Sequence, residues 1–569
     1  MFAILFAWIT ISFITLTSGD AFLSLYGKLC SEKEDYNLPD RFVLGLSFII
    51  IPLQIWSLWL PANHFFLAVC LVLSALYWCF RRKRLFSQFC LLKKKVCLLP
   101  AISKALIFLT ILAFALIGMK EVEVFDSLHY HLQNIRWNEE FAVVPGLGNL
   151  NHRIGYNSNY FLLSAIFSFR FLFGEGMYSL NLLLLCLCCC WVLYVSGGTG
   201  ARLSSFFTVG AFILFVMLTY SYLSSTSTDF LPNLLVLYLI AKVILVPDSI
   251  KKQKLLLIIV PFFVVTCKLS VAPLCLVSLW CLIRVLRSSK YSGLLFYIIT
   301  LCLIVIPWLI RNVIISGYII FPVYQLDFFD FDWKVPAIVA QKEIEYIKLI
   351  GKIYLDIVLY YRGMPYRDPH WLNLLTYYTY ITAALISSIS LIASFLRRKN
   401  IAGIKWIAFS SLSIILVAWH INGSDGRFVP GVLCAIILLS VSMLSDVFNM
   451  DVQTPKVFNI TASSIITVLV VVLVSIKATG LMATTDKAGH LLSLYRPLSL
   501  KKEIESRNTY TPYDIGNGLT IYVCNTDYVY DSYCTVSAPN PGIFTDITCL
   551  EARGKTLQDG FRTRKEYKY

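Results

Sequence analysis

The sequence predicts an all-α polytopic membrane protein that crosses the bilayer about 14 times, within a range of roughly 11 to 14. Three observations carry that expectation. Apolar residues make up 58% of the 569 and charged residues only 14%, where a soluble domain averages about 25% charged. Apolar runs of roughly 17–20 residues recur along the chain, each long enough for a hydrocarbon core of about 30 Å. The basic residues fall in short clusters between those runs, the positive-inside pattern. That placement accounts for the net charge of +16 and removes the case for nucleic-acid binding.

The first run, Met1–Ser18, lacks a basic leader and a small-residue cleavage site, so it reads as a first transmembrane helix. Arg81-Arg82-Lys83-Arg84 with Lys93-Lys94-Lys95 marks one cytoplasmic loop. Lys251-Lys252 with Lys254, then Arg284, Arg287 and Lys290, then Arg397-Arg398-Lys399 mark three more. Threading helices between them gives spans near 2–18, 42–60, 62–80, 102–119, 177–196, 203–222 and 230–246. The rest follow near 255–267, 271–286, 291–310, 376–396, 401–420, 428–445 and 459–480. Tyr160–Phe173 is apolar but interrupted by Arg170, and reads as a helix lying along the outer surface.

Three regions result. Residues 1–100 hold N-terminal spans. Residues 101–480 form a transmembrane core with outer loops 120–176 and 311–375. Residues 481–569 form a small exported tail, richer in Pro, Asn, Asp, Gly and Tyr, with a strand-like run Leu519–Val523. Most of the 17 cysteines sit in apolar runs, where they act as small hydrophobes. The tail cysteines Cys524, Cys534 and Cys549 are different, and a disulfide is expected there. Cys524 with Cys534 is the first pairing and Cys534 with Cys549 the second.

Outward-facing polar residues collect at the ends of spans. The first outer loop carries Asp126, His129, His131, Arg136, Arg153 and Asn157. Other outer turns carry Asp229, Lys268, Arg311 and Arg427. Topology places all of them at one membrane face. Such a set suits group transfer from an anionic lipid. Lys268, Arg311 and Arg427 would meet a phosphate. Asp126 or Asp229 would serve as base toward a hydroxyl. Each residue also has a plainer reading. Asp126 suits a helix N-cap, Asp229 can orient the span that follows, and Lys268 and Arg427 can snorkel to headgroups. The His129-x-His131 spacing alone is a weak metal signal.

The run Asp126-Ser-Leu-His-Tyr130-His131, with Ile135-Arg136-Trp137 and Val144-Pro145-Gly146-Leu147-Gly148-Asn149-Leu150, resembles the first outer loop of GT-C glycosyltransferases. These are polyprenyl-phosphate-sugar-dependent multi-pass enzymes related to protein mannosyltransferases and the aminoarabinose lipid A transferase, here in a bacterial branch. Pro307-Trp308-x-x-Arg311-Asn312-x-x-x-x-Gly317, Arg427-Phe428-x-x-Pro430 and the tail's Asp559-Gly560-Phe561-Arg562 are similar to that superfamily too. The resemblance covers roughly residues 100–569 and leaves the first three spans as additions. It implies a GT-C-like fold with outer-surface helices and a periplasmic appendage, in a bacterial inner membrane.

It further implies an inverting transferase. The sugar would move from a polyprenyl-phosphate donor to a glycan, lipid or protein acceptor on the periplasmic face. Asp126 matches the family's catalytic base, and Asp229 would assist or orient the acceptor. Lys268, Arg311 and Arg427 would hold the donor phosphate. His129, His131, Arg136, Arg153 and Asn157 complete the substrate-binding set. Related oligosaccharyltransferases often carry a metal-holding acidic pair where this chain has Ser127 and Leu128 after Asp126. No metal ligand is therefore assigned, and a divalent metal stays open as a cofactor. A non-catalytic relative that only binds a lipid-linked glycan is one alternative, and two others use the same face. One is a lipid-linked glycan polymerase or ligase, for which Arg362 and Arg367 in the second outer loop are suited. The other is a transporter or flippase, which predicts repeats and mid-span ionisable residues that the sequence does not show.

Overall fold

Helices that are apolar around their whole circumference need lipid or protein on every side. A computed structural model shows how this chain supplies both. It describes residues 1–30, 36–197, 202–246, 252–287, 291–350, 370–397, 401–450, 495, 499–537 and 547–564. The chain is a mostly helical membrane protein. Among the described residues, nine helices are long and apolar enough to cross a bilayer.

The N-terminal helices are α1 (Phe2–Cys30), α2 (Leu38–Trp56), α3 (His64–Cys97) and α4 (Ala101–Ile117). The first outer loop then carries α5 (Leu132–Glu140), α6 (Leu147–Leu150), α7 (Asn159–Ile166) and α8 (Arg170–Phe173). The core continues with α9 (Leu180–Gly197), α10 (Leu203–Leu218), α11 (Phe230–Leu245), α12 (Lys254–Cys267), α13 (Cys275–Arg287) and α14 (Tyr291–Ser316). The second outer loop holds α15 (Ala337–Ile350), and α16 (His370–Arg397), α17 (Gly403–Asn422) and α18 (Pro430–Phe448) close the bundle. In the tail, α19 (Lys501–Arg507) precedes five short strands.

Thirteen of the expected spans carry helices in the described residues, and four of those helices are shorter than a full crossing. Of these four, α11 and α12 form the buried centre, with Leu234, Leu235, Leu255 and Leu256 fully enclosed. They are surrounded by protein, so lipid thickness does not set their length. On the periphery, α3 and α16 expose Phe80, Leu73, Phe395 and Leu396, as lipid-facing helices do. The span expected at 459–480 lies outside the described residues, as do Lys251, Lys290, Arg362, Arg367, Arg398 and Lys399.

Two expectations are corrected. The Tyr160–Phe173 segment does not lie along a surface as one helix, since only its α8 end exposes apolar side chains, Phe171 and Leu172. Every residue of α7 is buried, and Phe169 turns the chain with a positive φ before α8. Asn181 donates to Tyr160 Oη at 2.9 Å, holding α7 inside the bundle. The expected disulfide is absent, since Cys524 and Cys534 are both free thiols. Strand β2 (Thr520–Cys524) pairs antiparallel with β1 (Tyr510–Asp514) and parallel with β3 (Thr535–Ser537). That register sets Cys524 opposite Ser537. Cys534 lies three positions earlier, roughly 10 Å along the strand, beyond the reach of a disulfide, about 7 Å between Cα atoms.

The tail packs onto the first outer loop. Trp137, Val144, Ile154 and Ile315 share one apolar core with Ile521, Val536 and Phe561. Backbones touch where strand β5 (Phe561–Thr563), paired with β4 (Leu550–Ala552), meets Pro145. Phe561 N donates to Pro145 O at 3.0 Å. Gly560 (φ +92°) makes this approach possible, because a Cβ there would lie 2.1 Å from Pro145 O. Asn149 joins three chain segments at this seam. Its amide donates to Trp333 O at 2.8 Å, and its Oδ1 accepts from Thr563 Oγ1 at 2.9 Å.

One further contact fixes the helix ends that carry the site. Asn233 on α11 donates to Phe428 O at 3.0 Å and accepts from Gly431 N at 3.0 Å. A Cβ at residue 431 would sit 1.9 Å from Asn233 O. Gly431→Ala is therefore expected to destabilise the chain by about 1–3 kcal/mol, measured as a lower thermal midpoint in detergent. An unchanged midpoint would mean that α11 and α18 are not held together there.

Candidate functional site

Hydrogen bonds to the backbone bring separate outer turns to one end of the bundle. Thr226 N donates to Ser127 Oγ at 3.3 Å, tying the turn before α11 to the first outer loop. Ser158 Oγ donates to Cys267 O at 2.7 Å, setting the 152–157 turn beside the end of α12. The Asn233 bridge adds the turn before α18. Five charged residues from these turns form one cluster: Asp126, Arg153, Asp229, Lys268 and Arg427.

The cluster is organised by opposite charge. The Arg427 guanidinium bonds the Asp126 carboxylate through Nη1, and its Nε lies 3.0 Å from Asp425 Oδ2. Arg153 Nη1 stands 3.7 Å from the other Asp126 oxygen. Lys268 Nζ pairs with Asp229 Oδ1 at 2.5 Å. The Phe428 ring lies under both cations, 4.6 Å from Lys268 Nζ and 5.2 Å from the Arg427 guanidinium carbon. The side chains of Asp126 and Arg427 remain 14% and 31% exposed, so the cluster is open to small groups from outside.

These pairings settle the capping readings. Asp126 begins the π-turn Ser127–His131 and Asp229 begins α11, yet neither side chain caps a backbone amide. Burial pushes the Asp126 carboxyl up, but Arg427, then His131 and Arg153, pull it down to about 2. Arg427 is held well above its ordinary value, because Asp126 and Asp425 outweigh its burial. Burial also lowers the His131 imidazole to about 4, against the pull of Asp126 and Asp229. It is therefore neutral at pH 7, and its Nδ1 has no hydrogen-bond partner among the described residues.

The remaining expected residues fall elsewhere. His129 stacks on Phe125 and bonds Asp527 O of the tail through Nδ1 at 2.7 Å. Tyr530 N donates to Leu128 O beside it, so the tail braces the loop that carries Asp126. Arg136 belongs to a separate network with Glu140 at 2.6 Å and Glu139 at 3.2 Å. Arg311 does not join Lys268 and Arg427. It is 2% exposed and donates to Ser57 Oγ at 2.6 Å and Asn138 Oδ1 at 2.8 Å. Asn157 is engaged with Trp308 and Arg311 behind the cluster. Arg311 and Asn157 are placed by segments distant in sequence, which local sequence does not reveal, whereas Arg136 pairs within α5. No group of three His, Cys, Asp or Glu side chains suited to a metal occurs among the described residues.

Sequence reasoning placed Asp425 and Tyr130 in outward-facing runs without giving either a role, and it missed His152, Glu343 and Tyr346. Glu343 gave no signal, because its partner Tyr156 is 187 residues away.

Residues 1–434 match the family model of DUF8201, a domain of unknown function. The chain belongs to that family. No curated protein and no solved structure matches it. The DUF8201 match includes α1–α3 and every residue of the charged cluster, and it ends within α18, before the tail.

The clamped carboxylate makes a pH statement. Its contribution to stability is complete above the ordinary Asp pKa of about 4 and is lost as pH falls through about 2. Infrared difference spectra of wild type against Asp126→Asn should keep the ionised carboxylate band from pH 8 to pH 4. A protonated band growing in above pH 5 would show that Arg427 and Arg153 do not hold it.

Proposed function

We propose that this chain is a GT-C-like glycosyltransferase. It would move a sugar from a polyprenyl-phosphate donor to a hydroxyl of a glycan, lipid or protein. On this reading the chain sits in a bacterial inner membrane with about 14 spans, and the cluster faces the periplasm. One observation carries the proposal. Two aspartates and three cations converge from distant turns at the end of an apolar bundle, where isolated charge is costly. Such a site suits an amphiphile whose polar head carries phosphate.

The roles follow from position. The acceptor oxygen would attack the anomeric carbon and form the new C–O bond. The bond from that carbon to the phosphate oxygen would break, and the lipid phosphate would leave with the electron pair. Arg153, Lys268 and Arg427 would stabilise that leaving charge. The acceptor proton would pass to Asp126, with Asp229 orienting the acceptor. At rest Asp126 is a weak base, because Arg427 and Arg153 hold its charge. Donor phosphate drawing these guanidiniums away would raise its basicity just as the hydroxyl arrives.

The test is transfer from radiolabelled polyprenyl-phosphate sugars by purified chain in lipid nanodiscs. Asp126→Asn is expected to reduce transfer by about 10²–10⁴ while leaving the thermal midpoint within a few degrees. Near-normal transfer by that variant would remove Asp126 as base and leave Asp229 as the alternative. Absence of transfer by wild type from every sugar donor tried would count against the transferase reading itself.

A further inference from the structure

The cations of the cluster are not equivalent. Lys268 is engaged by Asp229, and Arg427 by Asp126 and Asp425. Arg153 differs. Its guanidinium makes no hydrogen bond among the described residues, and Asp126 stands at 3.7 Å, beyond hydrogen-bond distance. A guanidinium offers five donors in a planar fork, and this one is only 14% exposed. Two aromatic rings flank it, Tyr130 at 5.6 Å and Tyr346 at 5.8 Å.

The backbone presenting Arg153 is held from outside its own loop. Glu343 on α15 is buried and reaches both sides of the turn. Its Oε2 lies 2.8 Å from His152 Nε2, and its Oε1 accepts from Tyr156 Oη at 2.9 Å. His152 is fully enclosed. One carboxylate thus grips the residue before Arg153 and the residue three after it. The same helix supplies Tyr346, one turn further on.

We propose that Glu343 is a positioning residue which, through His152 and Tyr156, holds Arg153 ready for an oxyanion of the phosphate class. Helix α15 is then a wall of the site. This rests on the proposed function only for the identity of the phosphate carrier. Burial opposes ionisation of Glu343, but His152 and Arg153 together hold its carboxyl below the ordinary range, so it remains an anion. It does not face the ligand. It fixes the direction of a side chain that does, and a fork that needs no reorganisation binds a tetrahedral oxyanion with less entropy loss.

The experiment measures dissociation constants by titration calorimetry on the full chain in nanodiscs, without any acceptor. The probes are inorganic pyrophosphate and farnesyl phosphate. Arg153→Gln is expected to weaken the bound probe at least about tenfold, the equivalent of one charge-assisted hydrogen bond. Glu343→Ala should weaken it several-fold, and the double variant should bind no more weakly than Arg153→Gln alone. Additive losses would overturn the positioning role, because an effect on general stability has no reason to pass through Arg153. Glu343→Gln with Tyr156→Phe supplies the same comparison if Glu343→Ala does not fold. Stronger binding of farnesyl phosphate than pyrophosphate identifies a lipid source, and the reverse identifies a free phosphate. Arg153→Gln binding both probes within twofold of wild type would refute the site. Binding that follows Arg153 without sugar transfer would leave this inference standing and remove the transferase reading.

Discussion

A carboxylate at the mouth of an apolar bundle has to meet a cation, since neither lipid nor packed side chains can solvate it. Asp126 meets Arg427, 301 residues further along the chain. That pairing requires the first outer loop and the turn before α18 to share one end of the bundle. Asn233 and Gly431 meet the requirement by locking α11 to α18 at backbone distance. Lys268 and Asp229 then close the gap between α12 and α11. The other end is pinned in the same manner. Asp40 on α2 accepts from Lys242 and Tyr238 on α11, at 2.9 and 2.6 Å. Paired charges at both ends set the rotation and depth of α11, which apolar packing alone leaves nearly degenerate.

The two ends differ in what they leave open. Asp40 and Lys242 are sealed, with side chains 0% and 2% exposed. The Asp126 cluster is partly open, and its cations differ in how fully they are engaged. A sealed pair holds structure and has no means of meeting a ligand. An open cluster whose cations are not all fully engaged has a means of meeting an external anion, with Arg153 the least engaged of them.

The tail takes part in this economy of contacts although it lies outside the bundle. It braces His129 through Asp527 and Leu128 through Tyr530, and it shares an apolar core with α5 and α6. The loop bearing Asp126 is thus fixed from both sides, by α11 and α18 within and by the tail without.

The sequence by itself determined the membrane class, the positions of thirteen apolar helices and the gathering of Asp126, Asp229, Lys268 and Arg427 at one end of the bundle. These follow from composition, run length and the alternation of basic loops, which are local properties. Only the tertiary structure decided which charges pair. It withdrew Arg311 from the cluster by giving it Ser57 and Asn138, and Arg136 by pairing it with Glu139 and Glu140 on its own helix. It buried α7, and it supplied Glu139 and Asp531 as counter-ions to Arg170 of α8, which had suggested a surface. It separated Cys524 from Cys534 through strand register. It also brought in Glu343 and Tyr346, whose relation to Arg153 crosses most of the chain. Hydropathy sets depth in the membrane, but pairing depends on rotation about each helix axis and on contacts between segments distant in sequence. Those quantities exist only once the bundle is assembled.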